Sequence, residues 1–246
     1  MKRPSLPLLL WLMASAPGAG AQTLPPPPAL VSFANLVMTS TASRAEIRAA
    51  SRAASSEISA LNDEASRLVH DAERLFLQSI AQRGFAPQDR TSTRDAETLL
   101  EEASSLARRA NRLRPTSEGY RVLADCMNQL LDLRGLAYKM FNLGAAKDTA
   151  LRAVALNEKN PLAQLSAAAF LMNVPVAVGG DPDQAREHLK RAREATDGSD
   201  FVNFLIAFWT LSYELEHGSA ERAEENRRAA AAIFPQNWLL LEAAGT

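Results

Sequence analysis

The stretch NVPVAVGGDPDQAREHLKRA, residues 173–192, places a pair of glycines just before a predicted helix. Glycine-rich turns that lead into a helix N-terminus bind phosphate in many proteins. Here Asp181 follows the glycines and is a good N-cap residue, so its carboxylate would occupy the backbone N–H groups that a phosphate needs. The usual phosphate loops also follow a strand and have other glycine spacings. We therefore interpret this stretch as a self-capped turn between two helices.

The first half of the stretch is an apolar loop that turn chemistry does not explain. Val174, Val176, Ala177 and Val178 lie between a predicted helix and the two glycines. Such a loop should not be open to water, because its apolar surface is favourably removed from it. We expect it to pack under the helices; the alternative is that it lines an apolar binding site.

Other residues capable of chemistry are few and scattered. The three histidines, His70, His188 and His217, fall on different predicted helices, and we expect His70 and His188 on solvated faces. The single cysteine, Cys126, lies in an apolar helix, which predicts a buried and inert thiol. The sequence has no H-E-x-x-H motif and no G-x-S-x-G elbow. We expect no metal, no cofactor and no enzymatic activity.

The N-terminus resembles a secretory signal. Lys2 and Arg3 are followed by a short apolar run and by an A-x-A site that ends at Ala21. We predict a signal peptide over residues 1–21, cleavage after Ala21 and export, with the bacterial periplasm as destination. No cysteine near that site could carry a lipid, and no apolar run is long enough to predict a transmembrane helix. Loss of the two basic residues leaves an acidic excess, which argues against a nucleic-acid partner.

The elements that would position a binding site begin after this segment. Four prolines, residues 25–28, favour an extended polyproline segment, and we predict a linker over residues 22–42. A docking peptide for a partner is the alternative. Residues 43–83 contain no proline or glycine and carry an apolar stripe at helical spacing, broken near Asn62-Asp63. We predict an N-terminal helical extension over residues 43–92 that packs onto the body of the protein; an oligomer seam is the alternative.

Four later helices each carry two alanines seven residues apart. Seven residues are two helical turns, so both alanines of a pair face the same neighbouring helix. Each pair is followed by a turn signal, and apolar helices lie between these alanine-bearing ones. The pairs are 103/110, 146/153, 185/192 and 223/230.

This pattern resembles the tetratricopeptide repeat (TPR), whose second helix carries two such alanines and is followed by a proline. The resemblance implies an all-α fold, with antiparallel helix pairs stacked as a TPR-like α-solenoid over residues 93–246. It also implies a concave groove that binds a protein partner.

A finer resemblance rests on the combination of a proline, a short apolar run, G-G-D and the helix after Asp181. It is similar to the exported T-components associated with tripartite periplasmic (TRAP) transporters. That resemblance implies helical-repeat subunits, sometimes oligomeric, that bind a periplasmic partner such as a solute-binding protein and can carry a hydrophobic ligand.

Aromatic residues fall mostly on the first helix of each predicted pair, which lines the groove in TPR arrays. The candidate groove residues are Tyr120, Tyr138, Phe170, Val176, Val178, Phe204, Phe208 and Trp209. We predict a non-catalytic binding or scaffold protein, with accessory function in a TRAP uptake system as the sharper hypothesis. A hydrophobic-ligand carrier and an envelope-assembly scaffold are the alternatives, and a homo-oligomer is left open.

Overall fold

The computed structural model describes residues 25–39, 41–85, 90–196 and 198–243. Within these ranges the chain forms eleven α-helices, one short 3-10 turn and no strand, which confirms the predicted all-α fold class. The helices are α1 (Pro28–Met38), α2 (Arg44–Ser59), α3 (Glu64–Phe85), α4 (Arg90–Leu113), α5 (Ser117–Leu133), α6 (Leu136–Leu156), α7 (Pro161–Asn173), α8 (Pro182–Glu194), α9 (Asp200–His217), α10 (Ala220–Ile233) and α11 (Trp238–Ala243). The 3-10 turn spans Val176–Val178 and lies between α7 and α8.

Side-chain caps fix where most of these helices begin. An oxygen of the N-cap side chain accepts a hydrogen bond from a backbone N–H in the first turn, which would otherwise lack a partner. Asp63 caps α3 in this way, so the predicted break at Asn62-Asp63 is confirmed. Asp181 caps α8, with Gln184 N donating to it at 2.9 Å, as predicted. The other side-chain caps are Ser43, Thr116, Asn160, Ser199 and Ser219.

The helices from α3 to α10 form four stacked pairs. Each of α3, α5, α7 and α9 packs along the helix that follows it, and each packs against the next of the four. Short turns join the helices of each pair from α5 onward, so these helices run antiparallel. This order is that of a TPR-like α-solenoid, in which α3, α5, α7 and α9 form one layer and α4, α6, α8 and α10 the other.

The paired alanines lie at the contacts within this stack, as predicted. All eight are at most 3% exposed. Alanine adds little volume at a helix contact, so neighbouring helix axes can approach closely. The buried alanines are Ala103, Ala110, Ala146, Ala153, Ala185, Ala192, Ala223 and Ala230.

The predicted start of the repeats at residue 93 differs from the observed packing. Residue 93 lies inside α4, and α4 packs along α3 over much of its length. Helix α3, which the predicted extension over residues 43–92 contained, is therefore the first helix of the first stacked pair.

The linker predicted over residues 22–42 is wrong where the structure describes it. Pro28 occupies the first turn of α1, a position that tolerates proline because the missing N–H would have no helical partner. Phe33 is fully buried, and the Glu57 carboxylate of α2 accepts a hydrogen bond from Ala29 N at 2.9 Å. Helix α1 folds because its apolar side chains find a core. The predicted signal peptide, residues 1–21, lies outside the described residues.

Both ends of the described chain bridge the first and last pairs of the stack. Helix α1 packs against α3 and also against α9. Near the other end, Trp238 lies so close to α3 that a Cβ on Gly84 would come within 2.8 Å of its Nε1. The fully buried Asn237 donates a hydrogen bond to the Met38 backbone oxygen at 2.6 Å. No helix in the described ranges is long and apolar enough to cross a membrane.

Candidate functional site

A groove with a cavity of about 360 Å³ lies along the layer made by α3, α5, α7 and α9. Each of these four helices contributes side chains spaced three or four residues apart, which is one continuous stripe per helix. The stripes are 73, 76, 77, 80 and 83 on α3; 121, 125, 128, 129 and 132 on α5; 162, 165, 166, 169 and 173 on α7; and 201, 205, 208 and 209 on α9. The stacking of the pairs therefore converts four helix faces into one concave surface.

Large apolar side chains from α3, α7, α9 and Trp238 line much of the groove. The Phe208 and Trp209 rings of α9 meet edge to face with centroids 5.1 Å apart. Phe204 is fully buried behind them, stacked on Phe208 at 6.3 Å and edge-on to Phe234 at 5.2 Å. This packing fixes the orientation of the exposed ring faces. The apolar lining includes Phe76, Leu77, Phe170, Phe201, Leu205, Phe208, Trp209 and Trp238.

The stripe of α5 is polar and centres on Arg121, whose side chain is only 5% exposed. Its guanidinium donates to Glu73 of α3, to Glu118 at 3.0 Å and to Asp125 at 3.1 Å. Glu118 also accepts from the Asn160 amide at 2.6 Å, which ties the cluster to the start of α7. Three carboxylates thus surround one buried cation.

Burial and these partners shift the protonation equilibria of the cluster. Burial opposes the charge of Arg121, but the three carboxylates together raise its pKa well above its ordinary value. For Asp125 burial is the largest effect and raises its pKa to about 6, against the lowering effects of Arg121 and of the Ser166 hydroxyl. Arg121 therefore stays charged, and Asp125 becomes protonated as the pH falls through about 6.

Two polar atoms beside this cluster have no hydrogen-bond partner of regular geometry. They are Ser166 Oγ of α7 and Asn128 Oδ1 of α5, and both residues line the groove. Ser166 is 3% exposed, so water does not readily satisfy its hydroxyl. An unpaired buried polar atom costs about 1–3 kcal/mol, and one that faces a cavity can be satisfied by a ligand.

The eight predicted groove residues divide into three groups. Phe170, Phe208 and Trp209 line the groove together. Phe204 packs behind its wall. The remaining four lie elsewhere: Tyr120 packs against a separate cluster of α5, α6 and α7, Tyr138 contacts the Arg134 guanidinium, and Val176 and Val178 are surface residues.

The expected burial of the apolar loop is wrong. Val176 is 69% and Val178 57% exposed. Gly179 adopts φ +108°, and a side chain at Gly180 would collide with the Val174 backbone oxygen, so this glycine pair turns the chain tightly against the end of α7. Only the start of the loop, Val174 with the adjacent Pro175, reaches the groove.

The two histidines expected on solvated faces are buried. His188 of α8 lies 2.6 Å from the Gln164 Oε1 atom of α7, and burial lowers its pKa. His70 is 4% exposed. Both therefore fill interhelical space. Cys126 is fully buried, as predicted, and burial raises its pKa far above the ordinary value. No group of metal-ligating residues is present in the described part of the chain.

The polar stripe of α5 was not predicted from the sequence as part of the groove. Arg121, Asp125, Asn128 and Asp132 recur at spacings of three and four in an otherwise apolar helix. This spacing is a readable signal of a polar helix face. The stripe that α3 contributes to the groove does not follow from residue spacing alone, because it also requires the pairing of α3 with α4, which the sequence does not predict.

No protein-family model matches the chain, and no curated protein matches it. Among solved structures the chain is similar to YrrB, described as a TPR protein with an unusual peptide-binding site. The similarity has 18% sequence identity and a TM-score of 0.41, and covers 80% of this chain and 91% of that chain. The order and packing of the helices, rather than this similarity, define the fold described above.

Proposed function

We propose that this protein is a non-catalytic binding protein that holds a segment of a protein partner in the groove. One observation carries the proposal: four alternate helices, α3, α5, α7 and α9, each direct one side-chain stripe into a common groove with aromatic walls. Rigid aromatic surfaces supply much of the binding energy in protein interfaces. The cavity of about 360 Å³ is suited to a few inserted side chains rather than to a whole helix.

The N-terminal sequence supports export to the periplasm with cleavage after Ala21. The resemblance of the loop and of α8 to TRAP-associated T-components supports an accessory function in solute uptake. In this proposal the partner is a periplasmic solute-binding protein, and the groove engages one of its surface segments. Envelope assembly is the competing scaffold function.

A second candidate is the transport of a hydrophobic small molecule, because a second cavity adjoins the first. This cavity, of about 250 Å³, shares Glu73, Leu77, Arg121, Leu162 and Phe201 with the groove. It extends toward α1 and the prolines before it. Native mass spectrometry of the purified protein tests this candidate through a retained lipid-like mass that organic extraction removes.

The partner hypothesis expects a periplasmic solute-binding protein to be encoded beside this gene, and it is tested with that protein. Isothermal titration should give binding that Ala169→Trp, which fills the groove, weakens at least tenfold. Leu215→Ala is the matched control, since Leu215 is an exposed apolar residue of α9 outside the groove. Melting curves by circular dichroism establish that both variants are folded. Binding that Ala169→Trp leaves unchanged would exclude the groove as the site; an unrelated gene neighbourhood would remove the TRAP hypothesis.

A further inference from the structure

The groove has an excess of hydrogen-bond acceptors at one place. Around Arg121, the carboxylates of Glu73, Glu118 and Asp125 outnumber the single guanidinium. Asp125 contacts Arg121 through Oδ2 only, which leaves Oδ1 free of that ion pair. Carboxylates removed from water are stable only when they are paired, so this arrangement is short of positive charge.

The other cations of the groove do not supply that charge. Arg83 donates to the Gln129 amide. Lys139 lies 3.8 Å from Asp132, in a pair whose side chains are 45% and 64% exposed. Solvent screens such a pair and the partner of Arg83 is a neutral amide, so the three rim groups sum to one positive charge and the excess of carboxylates is confined to the floor.

Two side-chain oxygens with unused acceptor capacity lie beside the carboxylates. The Ser166 hydroxyl acts on Asp125 as a hydrogen-bond donor that lowers its pKa, in a contact without regular geometry, so the Oγ lone pairs have no donor, and the residue is 97% buried. Asn128 Oδ1, one helical turn from Asp125 on α5, is also unpaired. These oxygens and the Asp125 carboxylate line the same cavity. A ligand group with several N–H donors and a positive charge would satisfy all of them together.

We propose that the groove recognises a lysine or arginine side chain of the partner segment, flanked by apolar residues that pack on the aromatic walls. The proposal rests on the partner-binding function described above and names the chemistry of the partner. The charged end approaches Asp125, Asn128 and Ser166. The aliphatic stem of such a side chain packs on apolar groove residues such as Phe170 and Leu165.

A divalent metal ion is a poorer occupant of this site. The buried Arg121 guanidinium already holds three carboxylates and would repel a dication. The described residues contain no set of three or more acidic, histidine or cysteine side chains placed to hold a metal.

Three peptide probes test the proposal directly: Ac-Phe-Lys-Phe-NH2, its norleucine analogue, and its glutamate analogue. The tryptophans of the described chain, Trp209 and Trp238, both line the groove, so their fluorescence reports occupancy. We expect the lysine peptide to bind at least tenfold more tightly than either analogue. Equal binding of all three peptides, or no binding of the lysine peptide, would overturn the proposal.

Three variants test which side chains cause the preference for the lysine peptide. Asp125→Asn keeps an acceptor for Arg121 but removes a charge, and should reduce the lysine preference to less than threefold. Ser166→Ala should weaken the lysine peptide and leave the norleucine peptide unchanged, which keeps the test decisive if Asp125→Asn folds poorly. Asp183→Asn of α8 is the control, because this carboxylate is largely exposed and lies outside the groove.

The preference should also depend on pH. The charged groups that line the groove together with Asp125 are Glu73 and Arg83 from α3, Arg121 and Asp132 from α5, and Lys139 from α6; Glu118 pairs with the same Arg121 guanidinium. Burial raises the pKa of Asp125 to about 6, so its carboxylate is protonated as pH falls from 7 to 5. Binding of the lysine peptide should weaken about tenfold over this interval, while binding of the norleucine peptide stays constant.

These outcomes separate the two proposals. Loss of partner binding in Ala169→Trp with equal binding of the three peptides would keep the groove as the site and reject the basic side chain. If the lysine peptide is preferred but Ala169→Trp leaves partner binding intact, the groove is not the partner site. The preference of the groove for a basic side chain would still stand.

Discussion

The stacked pairs and the two segments that join the ends of the stack bury apolar surface in different ways. These segments, α1 and residues 237–240, are called the closure below. In the stack, from α3 to α10, small residues such as Ala107 and Ala153 lie between helices and allow close approach. In α1 and near α11, the buried contacts come from larger side chains, including Phe33, Leu30 and Leu240. Large side chains fill the cores of both regions, but the stack also repeats its alanine contacts at a fixed spacing along four helices, whereas each contact of the closure occurs once.

This difference matters for the groove. The stack sets the four stripes that line it, but α1 and the Asn237–Trp238 region connect the first pair to the last. The stack therefore supplies the four stripes, and the closure joins the two ends of the stack and adds Trp238 to the lining.

The largest expected effect comes from removing the main anchor of the closure. Phe33→Ala should lower the free energy of unfolding by about 3–5 kcal/mol, because the ring is fully buried between helices. Urea denaturation followed by circular dichroism measures this change. Val31→Ala on the same helix is the control, since Val31 is partly exposed. A change no larger than that of the control would mean that residues 28–38 behave as a linker in solution.

The stack should instead be sensitive to added volume. Ala153→Leu places three extra carbons in a fully buried contact between helices, where the Ser117 hydroxyl donates to the Ala153 oxygen at 2.8 Å. We expect a loss of about 1–3 kcal/mol from overpacking. Ala155→Leu, an exposed position on the same helix, should change stability by less than about 0.5 kcal/mol. Equal effects of the two substitutions would show that the alanine spacing is incidental to the packing.

The same difference explains which parts of the fold were predictable. Alanines seven residues apart form a pattern that repeats four times, so Ala146 and Ala153 could be placed at a contact from sequence alone. Helix α1 occurs once and begins at the last of four prolines, so local chemistry favoured a linker. Its burial comes mainly from α2 and α3 and also from α9, about 170 residues later, and no local pattern encodes such distant contacts. The same holds for the site. The position of Phe208 and Trp209 in the groove could be predicted from helix spacing, whereas the pairing of Glu73 with Arg121 depends on the contact between α3 and α5.

A polar contact of the closure should have a smaller effect than its aromatic anchor. Asn237→Ala removes the hydrogen bond to the Met38 oxygen and the cap on Leu239 N at 2.9 Å. The expected loss is about 1–2 kcal/mol, because a buried acceptor is left unpaired. The control Asn203→Ala removes an exposed hydrogen bond with Thr196 and should cost less than about 0.5 kcal/mol. Similar losses in both variants would mean that the closure gains nothing from this bridge.

The smallest effect on stability is expected in the loop at Val176–Val178, which lies exposed outside both the stack core and the closure. Val176→Ser with Val178→Ser should change the free energy of unfolding by less than about 0.5 kcal/mol, since both side chains are exposed. Asp181 N donates to the Leu171 oxygen at 2.9 Å and Lys147 Nζ to the Gly179 oxygen at 2.8 Å, so backbone contacts hold the loop in place without the valines. Chemical denaturation of the double variant checks this. A loss above about 2 kcal/mol would mean that the valines are buried in solution, by a shift of the loop or by a second molecule packed on it.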